Sequence, residues 1–298
     1  MRTHFLRLFA AMTLLATPAL AQQDLSKVEI QTDKLADNVY MMTGAGGNLG
    51  VSVGEDGVFL VDDQFAPLTP KIQAAIAKLS AKPVRLVLNT HWHFDHTGGN
   101  ENLGKAGAVI VAQENVRKRL SNEGFIAFFG MKTKAEPPVA LPVITFTRDL
   151  SFQLNGEEIR AFHVPRAHTD GDTIVHFAKS DVIHMGDPFF NKMYPFIDTS
   201  SGGSVGGVLA AVDRVLKMAG DKTKIIPGHG PLATQADLKV YRDMLATVSG
   251  RVAGQIKQGK KLEEVVASKP TAQYDELWGK GFLAPEKFVE MLYGNLKK

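Results

Sequence analysis

The chain has 298 residues, no cysteine, 44% hydrophobic residues and a formal net charge of +3. The missing cysteine excludes disulfide staples and thiolate metal sites, so any metal must be held by histidine and carboxylate. The charge is too small to mark a nucleic-acid partner or an anionic membrane surface.

Residues 1–21 read as an export signal: Arg2 and Arg7, an apolar run from Leu8 to Leu15, then Ala19-Leu20-Ala21 as the cleavage pattern. That run is too short to cross a bilayer, and no later stretch reaches roughly 18 consecutive apolar residues. The expectation is a periplasmic or secreted protein without membrane insertion after cleavage. Residues 22–298 would form one domain with a helical C-terminal tail. Its charges nearly balance once the two signal arginines are gone, which again disfavours nucleic acid.

Short strands then alternate with helices. Val39 to Met42 and Leu49 to Val53 read as strands around Gly44-Ala45-Gly46-Gly47, and Glu55-Asp56-Gly57 as a turn into the strand Val58 to Val61. Pro70 opens a helix to about Leu79, with Ile72, Ile76 and Leu79 on one stripe. Val84 to Leu88 and Ala108 to Val111 are apolar runs that predict buried strands. Residues 121–147 are irregular and read as a helix or flap. Strands return at Glu158 to Val164, Thr173 to Phe177, Val182 to Met185 and Lys224 to Ile226, with a helix over Val205 to Met218 and helices from Ala236 onward. Such mixing in both halves points to sheets covered by helices.

His91-Trp92-His93-Phe94-Asp95-His96 follows directly on the strand Val84 to Leu88. Side chains two apart in extended backbone point the same way, so His91 and His93 can reach one metal together. Asp95 and His96 come after the chain turns and can face a second. Three histidines and an aspartate in six residues would be costly to gather at a strand end without a ligand. Three more polar residues stand just outside apolar runs with glycine nearby: His168, Asp187 and His229. Each alone could be a capped strand end.

Together these segments resemble the metallo-β-lactamase superfamily, whose signature is His-x-His-x-Asp-His, over roughly Val39 to Leu232. The resemblance implies an α/β fold, an αβ/βα four-layer sandwich. It implies that His91, His93 and His168 hold one metal, that Asp95, His96 and His229 hold a second, and that Asp187 bridges both. It matches Asp62 to a position that supports the metal loop. The implied cofactor is Zn2+, two per chain, and the implied activity is hydrolysis of a small carbonyl substrate: a β-lactam, lactone, ester or thioester. The absence of cysteine departs from the β-lactamases that carry a thiolate ligand.

In that reading a metal-bound hydroxide attacks the carbonyl, with Asp95 as ligand and as the residue that orients the nucleophile. Asp62 and, less directly, Thr173 would fix the ligating imidazoles. The pocket would be walled by Gly44 to Asn48, Phe125 to Met131 and Phe189 to Tyr194, with Lys192 or Tyr194 holding a substrate carboxylate unless they are rim or core residues. Trp92 and Phe94 read as packing residues. Gly202-Gly203-Ser204-Val205-Gly206 fits a serine-nucleophile elbow, but no strand precedes it, and Ser204 reads as a helix cap. His163, His176 and His184 read as packed or surface histidines within strands. The competing functions are an iron-dependent oxygenase of sulfur compounds on the same scaffold and a phosphodiesterase or nuclease.

Overall fold

The computed structural model describes residues 24–297. The expected signal, residues 1–21, lies outside the described residues. No helix among those described is long and apolar enough to cross a membrane.

The N-terminal half builds one sheet from β1 (Gln31–Lys34), β2 (Val39–Thr43), β3 (Leu49–Ser52), β4 (Val58–Val61), β5 (Val84–Asn89), β6 (Val109–Gln113) and a later strand, Ile144–Phe146, in that spatial order. Before that last strand, β7 (Gly124–Ile126) and β8 (Met131–Thr133) form a separate antiparallel hairpin, which makes Ile144–Phe146 β9. The C-terminal half builds a second sheet in sequence order: β10 (Asp149–Leu154), β11 (Glu157–His163), β12 (Thr173–Phe177), β13 (Val182–Phe190) and β14 (Lys224–His229).

Side-chain alternation divides each strand between two environments. In β4, Phe59 and Val61 join the core between the sheets, where they meet Ala161, Val175, Phe177 and Ile226 of the second sheet. The intervening Val58 and Leu60 face outward onto α1 (Thr69–Ala77), packing with Ile72 and Ile76. Two short helices follow the motif strand, α2 (Phe94–Thr97) and α3 (Asn100–Lys105), and α4 (Glu114–Leu120) follows β6. The outer face of the second sheet is covered by α5 (Val205–Met218) and α6 (Gln235–Lys257). Beyond them lie α7 (Leu262–Ala267), α8 (Asp275–Trp278) and α9 (Pro285–Leu296), whose Phe288 and Leu292 are fully buried in the same cluster. Helix, sheet, sheet, helix is the expected αβ/βα sandwich.

β4, β5 and β6 run parallel, and so do β13 and β14. β11 is antiparallel to β12, which is antiparallel to β13, so β11 and β13 share a direction. Each sheet therefore delivers several strand C-termini to one edge, where open α/β sheets place their functional groups.

Candidate metal centre

β5 ends at Asn89, and Thr90 to Trp92 bend across the edge to the extended His93 before α2 turns Asp95 and His96 back toward it. From the second sheet come His168, in the loop after β11, Asp187, just past the left-handed Gly186 in β13, and His229, the last residue of β14. One ligand atom each from His91, His93, His168 and Asp187 lies within 4.8 Å of the others; Asp95, His96 and His229 form a second such group. All seven residues predicted as ligands are thus brought to one place.

Asp187 stands between the groups. Its Oδ2 is 3.7 Å from His91 Nε2 and 3.5 Å from His168 Nε2, and also 3.4 Å from His229 Nε2. Its Oδ1 is 3.0 Å from His96 Nε2. Gly228 leaves room for it: a Cβ there would sit 2.1 Å from Asp187 Oδ1.

The outward nitrogens of four imidazoles are accounted for, and this fixes their tautomers. His168 Nδ1 donates to the Phe196 carbonyl at 2.8 Å, and His93 Nε2 to Asp198 at 3.1 Å. His96 Nδ1 donates to Asp62 Oδ2 at 2.8 Å. His91 Nδ1 lies 3.0 Å from Thr90 Oγ1, which is committed as donor to Asp62 Oδ2, so the ring donates. The inward nitrogens of His91, His93 and His168 are then bare lone pairs. His93 Nδ1 is 2.9 Å from His168 Nε2 and 3.2 Å from His91 Nε2. Three lone pairs at that spacing repel unless a cation sits among them. Imidazole and carboxylate donors without thiolate suit a divalent ion of the zinc type.

The protonation balance separates the two groups. Burial strips water from His91 and His168 and disfavours their charged forms; His91 lies well below the ordinary imidazole value and His168 at about 4. Burial acts the same way on His96 and His229, but Asp187 and Asp95 outweigh it. His229 rises to about 9 and His96 rises well above its usual value. Burial alone would raise Asp95, yet His96 and His229 lower it to about 2. Without cations, the second group holds protons where positive charge is wanted.

A cleft of ≈ 280 Å³ opens above the centre, with His93, Asp95, Asp187 and His229 at its floor. Ala45 represents the expected glycine-rich wall, Ile126, Phe129 and Met131 the flap, and Phe190 the end of β13. Sequence reasoning missed three other contributors: Phe65, Phe196 and, from the C-terminal tail, Phe282.

The family model of the metallo-beta-lactamase superfamily matches residues 42–229. The chain belongs to that superfamily. It is 24% identical over 190 residues to a probable metallo-hydrolase of Streptococcus pyogenes, a match covering 61% of this chain and 81% of that one. It is 24% identical over 168 residues to a type 2 metallo-beta-lactamase of Elizabethkingia meningoseptica, covering 52% of this chain and 60% of that one. Among solved structures, the stereoselective inverting sec-alkylsulfatase Pisa1 from Pseudomonas sp. superposes with a TM-score of 0.65 at 18% identity, covering 89% of this chain and 50% of that one. The protein is a metallo-hydrolase by superfamily, with a histidine and aspartate cluster of metal-binding type.

Several expectations need correction. Tyr194 does not face the cleft: it is fully buried, stacks on Phe288 and donates to Asp275 Oδ1 at 2.8 Å. Lys192 is exposed, in left-handed backbone, and does not line the cleft. Thr173 does not orient an imidazole; its buried hydroxyl has no hydrogen-bond partner. Thr90 and Asp198 stand there instead. Phe94 is half-exposed on the cleft wall, whereas Trp92 packs in the core as expected. As expected, His184 is a packed histidine and not a ligand, donating from Nε2 to the Asn48 carbonyl at 2.9 Å. Ser204, as expected, caps α5, accepting from Gly207 N at 3.0 Å.

Proposed function

We propose that this chain is an exported hydrolase that uses two zinc ions to cleave a small carbonyl substrate of the ester, lactone, thioester or lactam type. The observation that carries the proposal is the set of bare inward lone pairs on His91, His93 and His168 beside Asp187, with a second cluster sharing that aspartate. The likeness to a metallo-beta-lactamase and to a probable metallo-hydrolase supports hydrolysis as the reaction class. The Arg2 to Ala21 pattern supports export.

His91, His93 and His168 with Asp187 would hold one ion; Asp95, His96 and His229 with the same Asp187 would hold the other. When bound, such ions make water a nucleophile near neutral pH and polarise a carbonyl oxygen. The residues supply the rest. Asp198 and the Phe196 carbonyl keep His93 and His168 in their ligating tautomers. Asp62 does so for His96 directly and for His91 through Thr90. Asp95 reaches the cleft floor with Oδ2 3.3 Å from His229 Nε2, which supports it as the carboxylate that would orient an attacking water. A substrate seated against the apolar walls would displace water from around its carbonyl.

The test is metal analysis of the purified chain, followed by turnover of β-lactam, lactone, thioester, ester and phosphodiester substrates with and without chelator. Two zinc ions per chain and chelator-sensitive hydrolysis of a carbonyl substrate are expected. A single iron per chain with oxygen consumption would overturn the reading in favour of sulfur-compound oxidation. An Asp95→Asn variant is expected to lose most activity; retention of full activity and of both metals would remove Asp95 from its role. Mass spectrometry of the exported protein should find Gln22 at its N-terminus.

A further inference from the structure

Six phenylalanines line the cleft above the metal centre: Phe65, Phe94, Phe129, Phe190, Phe196 and Phe282. The other lining residues are three apolar side chains and the four candidate ligands on the floor. Among the described residues, no lysine, arginine, asparagine or hydroxyl side chain lines it.

The flap shows why its own cation stays out. Directly opposed residues of an antiparallel hairpin share a face. Ile126 pairs with Met131, and both point into the cleft; Phe125 pairs with Lys132, and that pair is exposed on the other face. The hairpin is also held in place. Ala127 N donates to Ser200 Oγ at 3.1 Å, and Phe129 lies against Phe196 with ring centroids 4.7 Å apart. Phe196 in turn stacks on His93, and Phe190 stacks on His229. The apolar wall is therefore continuous with the ligands. Phe129 and Phe282 still expose 39% and 57% of their surface at the mouth, where a bound molecule would cover them.

We infer that the substrate carries an uncharged alkyl or aryl body beside its scissile group, and that this cleft selects it by apolar burial and rejects a body bearing a carboxylate. The inference rests on the hydrolase reading above and narrows its substrate class. A carboxylate buried among these rings would lose its water and gain no partner. A methylene would gain the full benefit of leaving water. Substrates whose recognition depends on an anionic group held among these rings, away from the ligands on the floor, are thus disfavoured at this site.

The test uses zinc-loaded protein of measured metal content. Acetyl, butyryl, hexanoyl and octanoyl hydroxamic acids are titrated by calorimetry, beside suberic monohydroxamic acid, which carries a carboxylate in place of the terminal methyl of the longest chain. The Kd should fall by up to about fourfold per methylene, and the carboxylated probe should bind at least about tenfold more weakly than octanoyl hydroxamic acid. Phe129→Ala should flatten the dependence on chain length. Phe282→Lys should recover affinity for the carboxylated probe, a gain that misfolding cannot imitate. A flat series, or equal or tighter binding of the carboxylated probe, on protein holding two zinc ions overturns this inference and leaves the hydrolase reading standing. A chain that takes up no zinc sinks both.

Discussion

One carboxylate serves both halves of the centre. Asp62 Oδ1 accepts from Thr90 N at 2.7 Å, while Oδ2 accepts from Thr90 Oγ1 and His96 Nδ1, both at 2.8 Å. Asp62 holds this position in left-handed backbone, which aspartate tolerates better than most residues. Asp62→Ala should lower metal affinity at the His96 group by about 10- to 100-fold, read by competition with a zinc-binding dye; unchanged affinity would show that His96 is held by other means. Gly228→Ala should push Asp187 aside and leave a chain that binds its metals more weakly, measured in the same titration. The protonation states give a pH dependence with a definite sign. His229, raised to about 9, and His96 are protonated at neutral pH in the metal-free chain and must lose protons to ligate. His168, at about 4, is already neutral. Affinity at the second group should therefore fall as pH drops below about 9, because His229 must give up its proton to ligate. Metal titrations at about pH 9 and about pH 6 should find weaker binding at the lower pH; an unchanged affinity would show that no proton is displaced there. The seven donors were legible because each sits at the tip of an apolar run. Thr90 and Asp198 were not: Asp198 lies 105 residues from the histidine it orients, and its neighbours Ser200 and Ser201 read as a local turn.

Elements with a strong period were read well, and those without one were missed. Val58–Val61, Thr173–Phe177 and the helix Val205–Met218 fall where expected. β1 went unread because all four of its residues are exposed and carry no apolar alternation. β13 runs to Phe190, past the expected end at Met185, because Gly186 makes a bulge with φ +58° and the strand resumes beyond it. That interruption is what turns Asp187 toward the six other candidate ligands. The irregular segment at 121–147 contains two three-residue strands, too short to show a period. The first turn of α5 separates two roles for Ser204. As a cap it should contribute about 1 kcal/mol, so Ser204→Ala should lower the urea midpoint while hydrolysis survives. Abolished turnover in a folded variant would restore the nucleophile reading.

At the scale of the whole chain, the ligands are divided between the sheets. His91, His93, Asp95 and His96 follow a strand of the first sheet, and His168, Asp187 and His229 come from the second. Ions bound there would join two layers otherwise held by the core between them. At a thousandfold excess over Kd, one such ion stabilises the folded state by about 4 kcal/mol. For a chain of this size, chelation should lower Tm by roughly 10 °C, seen by calorimetry with and without chelator; an unchanged Tm would show that the layers do not need the ions. The exposed link at Thr147 and Arg148 is where the first sheet ends and the second begins. A backbone cut at that point would separate two pieces, each carrying an incomplete set of donors for the shared centre. Neither piece could cage the ions alone, so zinc would act as the glue that recruits one half to the other.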